Sequence, residues 1–555
     1  MLVISTASGL WISIILSILV LVFSNSRQGW RIATRLSGIN VLLAIFLFSQ
    51  IFNSPVMSAV LRLDFLHATL LLLINFLAWI IYRYSAVNFQ ADVDAPRFLT
   101  WLTCTLLAVQ VLILSDHLIV FWLAWVGVSL SLHKLLTFYP NRPRAILAAH
   151  KKFLIARCSE LCLGLSFWLI YSVHHSFSIS HILSQYPLIN LPWQITSAVI
   201  LLALVALLKC AQLPLHGWLI QVVESPTSVS ALLHAGVINL GGVLLLIFAP
   251  LLSQVAAAQW LLLLIAGPSA VLAALTMTTR ISIKVRLAWS TCAQMGLMLV
   301  ECALGLYELA LLHLIAHSFY KAQAFLSSGS AVREYLHAQM AQAAEIKQVP
   351  SIRRWILASV IVLASMAGVA TLLNGLFADH LLANIHLFPI APWLVIGFAL
   401  LSFVAYQLNV HQSTCQTKYL SPLKSMAQLK NLVTVITTVV LLISLYVLLK
   451  TQMAQLLDLP IYHSSWLADV WVCALVILLI AANYALQNHA QNAQVRSAWI
   501  ALNAGLYLDE WITRLTLYWL PIKLTSHNAL SGNTPSTTAP LEQSITCSFQ
   551  HQVKS

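Results

Sequence analysis

Apolar runs of about 20 residues follow one another along the whole chain, each long enough to cross about 30 Å of hydrocarbon as a helix. None of them alternates apolar and polar positions as the strands of a membrane barrel would. Candidate spans centre near residues 16, 44, 74, 107, 128, 163, 203, 238, 269, 296, 320, 366, 400, 440 and 477. The predicted fold class is all-α: a polytopic membrane protein of about 15 transmembrane helices, within 14–16. The first run, Leu10 to Phe23, has no basic residue before it and no small-residue cleavage site after it. It is expected to be a retained span, not a signal peptide.

Polar residues interrupt this pattern at a few positions. A charge in mid-helix costs about 2.5–3.5 kcal/mol on insertion scales, so it persists with a partner or a role. Lys209 ends the apolar run 198–208, and Pro214 follows five residues later. Proline removes a backbone hydrogen bond and clashes with the carbonyl four residues earlier, so a helix break is expected about one turn beyond the lysine. Lys209 then reads either as an ion carrier at a broken helix or as a lysine snorkelling to the headgroups. His234, about two turns into the next span, is a core histidine or, beside Lys209, the next stop for a proton.

In "LLHLIAHSFYKAQAFLSSGS" (311–330), His313, His317 and Lys321 recur at i, i+4 and i+8 and share one helix face. A His-x-x-x-His pair can bind zinc, but the lysine would repel a cation and no acidic ligand lies nearby in sequence. The face reads better as a proton wire, because a lysine taken out of water holds its proton less tightly. In "HKKFLIARCSELCLGLSFWLI" (150–170), Arg157 and Glu160 have the spacing of an intrahelical ion pair. That pair is a neutralised packing element or a modulator of a nearby lysine.

Composition agrees with the pattern. The chain of 555 residues is 60% hydrophobic and 8% charged, where soluble proteins carry roughly 25% charged residues. No soluble domain is expected. The net charge of +13 is largely topological. With the N-terminus outside and the C-terminus inside, 24 of the 29 basic residues fall on the inward side, Lys151 and Lys152 among them. Only Arg62 and Lys450 fall outside, while Arg157, Lys209 and Lys321 fall within spans. A nucleic-acid partner has little support. The nine cysteines show no paired-ligand spacing, and Cys158 and Cys162 read as packing residues. The inward connection Tyr335 to Ile352 could form a surface helix. The segment "YLDEWITRLTLYWLPIKL" (507–524) has an interfacial character, and the polar tail after it reads as a disordered end.

"LKCAQLPLHGWL" (208–219), "ESPTSVSALLHAGVINLGGVLLL" (224–246), "IKVRLAWSTCAQMGLM" (283–298) and "HLIAHSFYKAQAFLSSG" (313–329) resemble the antiporter-type subunits. That superfamily includes the L, M and N subunits of respiratory NADH dehydrogenase and the large Mrp-type sodium/proton antiporter subunits. The resemblance covers roughly residues 100 to 380 and implies two inverted five-helix repeats, each with a broken helix. It divides the chain into N-terminal helices (1–97), a first repeat (98–250), a second repeat (251–410), C-terminal helices (411–506) and an interfacial segment with a polar tail (507–555). It implies that Lys209 is the central lysine of the first repeat, with His234 as its relay. His313, His317 and Lys321 would be the connecting groups, and Lys284 a basic residue near the cytoplasmic side.

Two positions depart from the family. Its W-E-G motif here reads "LAWVGVSL", with Val126 where the glutamate belongs, and Glu160 is the candidate substitute. The second broken helix lacks its prolines in "GVATLLNGLFADH", and Asp379 stands where a lysine is expected. The long lateral helix of the respiratory L subunit is not expected after residue 524. In these respects the chain is similar to the membrane subunit of the two-component, Dab-type inorganic-carbon pumps. That resemblance implies a bacterial inner-membrane location, and no cofactor or metal of this chain's own. It also implies a large cytoplasmic zinc-containing DabA-type partner resembling a β-carbonic anhydrase. Flow of protons or sodium would then drive one-way hydration of CO2 to bicarbonate. The alternatives are a proton-pumping L-type subunit of NADH dehydrogenase and an Mrp-type sodium/proton antiporter subunit.

Overall fold

The computed structural model describes residues 6–51, 56–57, 60–188, 190–330, 333–334, 336–337, 352–376, 396–397, 400–401, 403–405, 407, 421–457, 465–489 and 491–520. Helices α1 (Thr6–Val22) and α2 (Gly29–Gln50) precede a small antiparallel ribbon, Val56–Met57 against Arg62–Leu63. There follow α3 (Phe65–Asn88), α4 (Ala95–Leu114), α5 (Leu118–Leu136), α6 (Pro143–His174), the short α7 (Ile179–Leu183) and α8 (Trp193–Lys209). Next come α9 (Gly217–Gln221), α10 (Thr227–Ala235), α11 (Leu240–Ile247), α12 (Ala249–Leu252), α13 (Ala256–Thr278), α14 (Ile283–Ala303) and α15 (Tyr307–Leu326). Helices Ile352–Leu376, Ser421–Leu457, Trp466–Asn488, Ala493–Asn503 and Glu510–Trp519 complete the described elements.

The predicted centres fall in these helices or in the turn between α10 and α11, with residue 400 in a short described piece. Among the described residues, nine helical segments are long and apolar enough to cross a membrane. Their outward faces carry Leu42, Leu161, Trp168, Leu264 and Ile477, which suits lipid. Local chemistry sets the helix starts. Asp64 accepts the His67 amide at 3.0 Å to cap α3, and prolines sit in the first turns of α4 and α6.

Lys151 and Lys152, counted on the inward side, belong to a helix: α6 runs unbroken through 32 residues and buries both side chains. At 1.5 Å per residue that helix is about 48 Å long, well beyond the hydrocarbon thickness, so its first turns carry cations before the apolar part begins. Helix Ile352–Leu376 is unbroken over its described length, and Asp379 lies outside the described residues. So do most of 335–352 and all of 521–555.

The N-terminal helices are fastened by a closed ring of neutral hydrogen bonds. Ser13 Oγ donates to Asn40 Oδ1 (2.5 Å) and Asn40 Nδ2 to Ser17 Oγ (3.3 Å). Ser17 Oγ donates to Gln110 Oε1 (2.7 Å), and Gln110 Nε2 returns to Ser13 Oγ (2.6 Å). Polar bonds of this kind join helices where lipid supplies no hydrophobic drive. One apolar core runs through α2 to α15, while Ile352–Leu376 and Ser421–Leu457 share a separate one around Val362, Val404, Val439 and Ile443.

Small residues allow the closest approach in the main core. A Cβ at Gly241 of α11 would press on the Ala206 carbonyl and the Cys210 thiol at the end of α8. Overpacking of this sort costs about 1–3 kcal/mol. Gly241→Val should therefore lower the midpoint of thermal unfolding in detergent, and an unchanged midpoint would mean that α8 and α11 separate without cost.

Candidate functional site

The site begins where α8 stops. Lys209 is its last helical residue, and the chain closes the helix with a pair of bonds, Gln212 N–H to the Leu207 carbonyl (3.2 Å) and Ala211 N–H to the Leu208 carbonyl (3.4 Å). This is a Schellman ending, with Ala211 in the left-handed region at φ 51° where glycine is usual. The break thus falls directly after the lysine, not one turn beyond it, and Pro214 follows the cap without making it. Helical structure resumes at α9.

Backbone exposed by a break at membrane depth needs new partners. Leu213 N–H donates to Ser269 Oγ (3.1 Å), and Gln212 Nε2 donates to the Cys210 carbonyl (2.9 Å). Cys292 Sγ donates to the Ala211 carbonyl at 3.2 Å. Side chains of α13 and α14 therefore hold the interruption open.

Lys209 lines a cavity with Trp125, Ser129, Lys152, Glu160 and Trp218. Its ammonium lies 4.6 Å from the centre of the Trp125 ring, a cation–π contact. The cavity measures about 20 Å³, enough for one water at roughly 10–15 Å³ each. Glu160 accepts from Arg157 at 2.8 Å, and Arg157 also reaches Ser129 Oγ at 2.9 Å. Lys152 donates to the Ser129 carbonyl at 2.6 Å. One carboxylate faces three cations here, and each lies within its electrostatic reach. The sequence points to Lys209 and Glu160; it does not single out Lys152, which counts there only as one more inward-side cation.

The second cluster follows through α10, α14 and α15. His234 is fully buried, with Nδ1 at 3.1 Å from Thr291 Oγ1 and its ring stacked on Phe325 at 4.4 Å. His317 lies within electrostatic reach of His234, His313 and Lys321. Neither of its ring nitrogens has a hydrogen-bond partner among the described residues. Lys321, also fully buried, donates to the Leu287 carbonyl at 3.0 Å. His313 stands 6.3 Å from His317, ring centre to ring centre. Its Nδ1 meets the Glu301 carboxylate at 3.0 Å and its Nε2 meets Gln294 Oε1 at 2.8 Å.

Glu301 puts a carboxylate against His313 that the spacing along α15 does not reveal. It sits twelve residues before His313, at the far end of α14, and the turn into α15 brings it back. The signal was present as the one acid in "STCAQMGLMLVECA". Lys284 stands apart from this cluster and donates to Thr227 Oγ1 at 3.0 Å, at the first turn of α10. Among the described residues no three His, Cys, Asp or Glu side chains converge as a metal-ligating group.

Residues 115–405 match the family described as NADH:quinone oxidoreductase/Mrp antiporter, transmembrane. The chain belongs to this antiporter-like family of membrane subunits. It is 40% identical over 92% of its length to the probable inorganic carbon transporter subunit DabB of Hydrogenovibrio crunogenus, covering 95% of that protein. The probable DabB2 subunit of Halothiobacillus neapolitanus is 33% identical over 81% of this chain and 79% of its own. NADH-quinone oxidoreductase subunit L of Rhodobacter capsulatus is 31% identical, over 50% of this chain and 41% of that one. Among solved structures, the Mrp complex of a Dietzia species matches with a TM-score of 0.54 at 18% identity, over 99% of this chain. This chain spans 62% of that one, and the likeness concerns the fold.

Removing one partner of a buried polar pair costs about 1–3 kcal/mol. Glu301→Ala should therefore destabilise the detergent-solubilised protein by about that amount, read as a lower thermal midpoint. An unchanged midpoint would show that His313 is held by Gln294 alone.

Proposed function

We propose that this chain is the ion-conducting membrane subunit of an energy-coupled inorganic-carbon accumulation complex, with the proton as its ion. The observation that carries conduction is the single cavity shared by Lys209 and Glu160 directly at a helix break. The carbon reading is supported by identity along nearly the full length with subunits named as inorganic carbon transporters, whereas the respiratory L subunit matches over half of the chain.

Glu160 takes the part of the glutamate absent at Val126. It can neutralise either Arg157 or Lys209, and it cannot serve both fully. Paired with Arg157, it leaves Lys209 short of counter-charge and favours release of the lysine proton; turned toward Lys209, it favours uptake. The released proton passes to His234, whose Nε2 has no hydrogen-bond partner among the described residues, and on through Lys321, His317 and His313. The unpaired ring nitrogens of His234 and His317 suit a relay because each can accept a proton without first losing a hydrogen bond. Lys284 would act near the cytoplasmic side and Asp379 as the exit group. The ion flow is coupled to a cytoplasmic, zinc-containing, carbonic-anhydrase-like partner of the DabA type, which carries out the hydration of CO2. The chain itself transports and does not catalyse, sits in a bacterial inner membrane, and keeps its N-terminus periplasmic.

Lys209→Ala should abolish growth that depends on inorganic-carbon uptake while the complex still assembles, because it removes the exchangeable charge at the end of an intact helix. Normal growth would remove the lysine from the mechanism. Gentle purification from the native host should bring down one large soluble zinc protein; a set of respiratory or antiporter subunits in its place would overturn the carbon reading.

A further inference from the structure

The C-terminal helix Glu510–Trp519 is fastened to α6 and α9, beside the Lys209 cavity, by a residue outside every apolar span. Asp509, which directly precedes that helix, accepts from Lys151 Nζ at 2.5 Å and from Gln221 Nε2 at 2.9 Å. Lys151 is fully buried and belongs to α6, while Gln221 belongs to α9. The carboxylate rests on Gly217, where a Cβ would collide with it. Two of these contacts adjoin a cavity wall, since Lys152 follows Lys151 and Trp218 follows Gly217, and both line the space around Lys209. Arg280 and His216 share the same electrostatic neighbourhood as Lys151 and Asp509. The turn that delivers the carboxylate is strained: Leu506 and Tyr507 are held at φ 55° and 56°, after Gly505 at 67°. Non-glycine residues keep such angles where their surroundings over-determine them. On the docked side, Ile512 and Thr516 of the C-terminal helix are buried.

We propose that Asp509 is a positioning residue of the ion path, the bolt of a C-terminal latch that joins α6 to α9 and so fixes the Lys152 and Trp218 walls of the Lys209 cavity. This rests on the proposed conduction through Lys209. Small displacements of a wall matter because proton transfer needs donor and acceptor within hydrogen-bond reach, and misplacement by about 1 Å can cost on the order of a hundredfold in rate.

The test uses the full-length protein with its copurifying subunits, reconstituted in liposomes, with proton flux followed by a trapped pH dye and hydrogen exchange measured over 505–520. Asp509→Ala removes the bridge, and Gly217→Ala evicts the carboxylate without touching a charge. Both should raise exchange in 505–520 and lower flux by about tenfold. Asp509→Asn keeps an acceptor for Lys151 and Gln221 and should retain most of the flux. If Asp509→Ala does not yield folded protein, Gly217→Ala decides. A released helix with wild-type flux overturns the inference. Lys209→Ala runs alongside: wild-type flux in that variant defeats the conduction reading itself, whereas its loss with an unaffected Gly217→Ala defeats the latch alone.

Discussion

In hydrocarbon a backbone amide without a protein partner has no water to turn to, and each such group costs several kcal/mol. The gap between Lys209 and Gly217 is where this fold meets that constraint. Its Schellman closure, the Ser269 hydroxyl, the Gln212 amide and the Cys292 thiol supply partners to the backbone opened just after the lysine. Once those partners are required, α13 and α14 must pack against the end of α8, and α11 must come close enough for Gly241 to touch Ala206. The lysine's position at a helix end, half-buried above a small cavity, is a product of the same arrangement.

Electrostatics organises what the backbone leaves open. The acids that matter each sit beside basic groups: Glu160 beside Arg157 and Lys152 of its own helix and Lys209 of α8, Glu301 beside His313, Asp509 on Lys151. A buried charge is tolerable when it is paired and hydrogen-bonded. Such pairing also couples distant segments, since Lys151 and Asp509 are 358 residues apart in sequence. Movement of one partner therefore alters the field felt by the other.

Much of this was legible from residue order alone. Helix positions followed from apolar run lengths, and the shared face of His313, His317 and Lys321 followed from spacing by four. What escaped has a common physical origin: contacts made across helices leave no local signature. Glu301 faces His313 because a tight turn folds α15 back on α14, and Asp509 reaches Lys151 because the chain returns after its last spans. The part Lys152 plays is hidden because a helix can exceed the membrane thickness, so a charge near its start can still be buried. Pro214 drew attention to the right segment for an incomplete reason, since the helix had already been capped by Ala211 and Gln212.

The ring of Ser13, Asn40, Ser17 and Gln110 differs in kind from everything around the lysines. It contains no ionisable group, and around the circuit each side chain gives one hydrogen bond and takes one. The junction of α1, α2 and α4 is therefore held by groups that carry no charge, and its hydrogen bonds do not change with the protonation of any member.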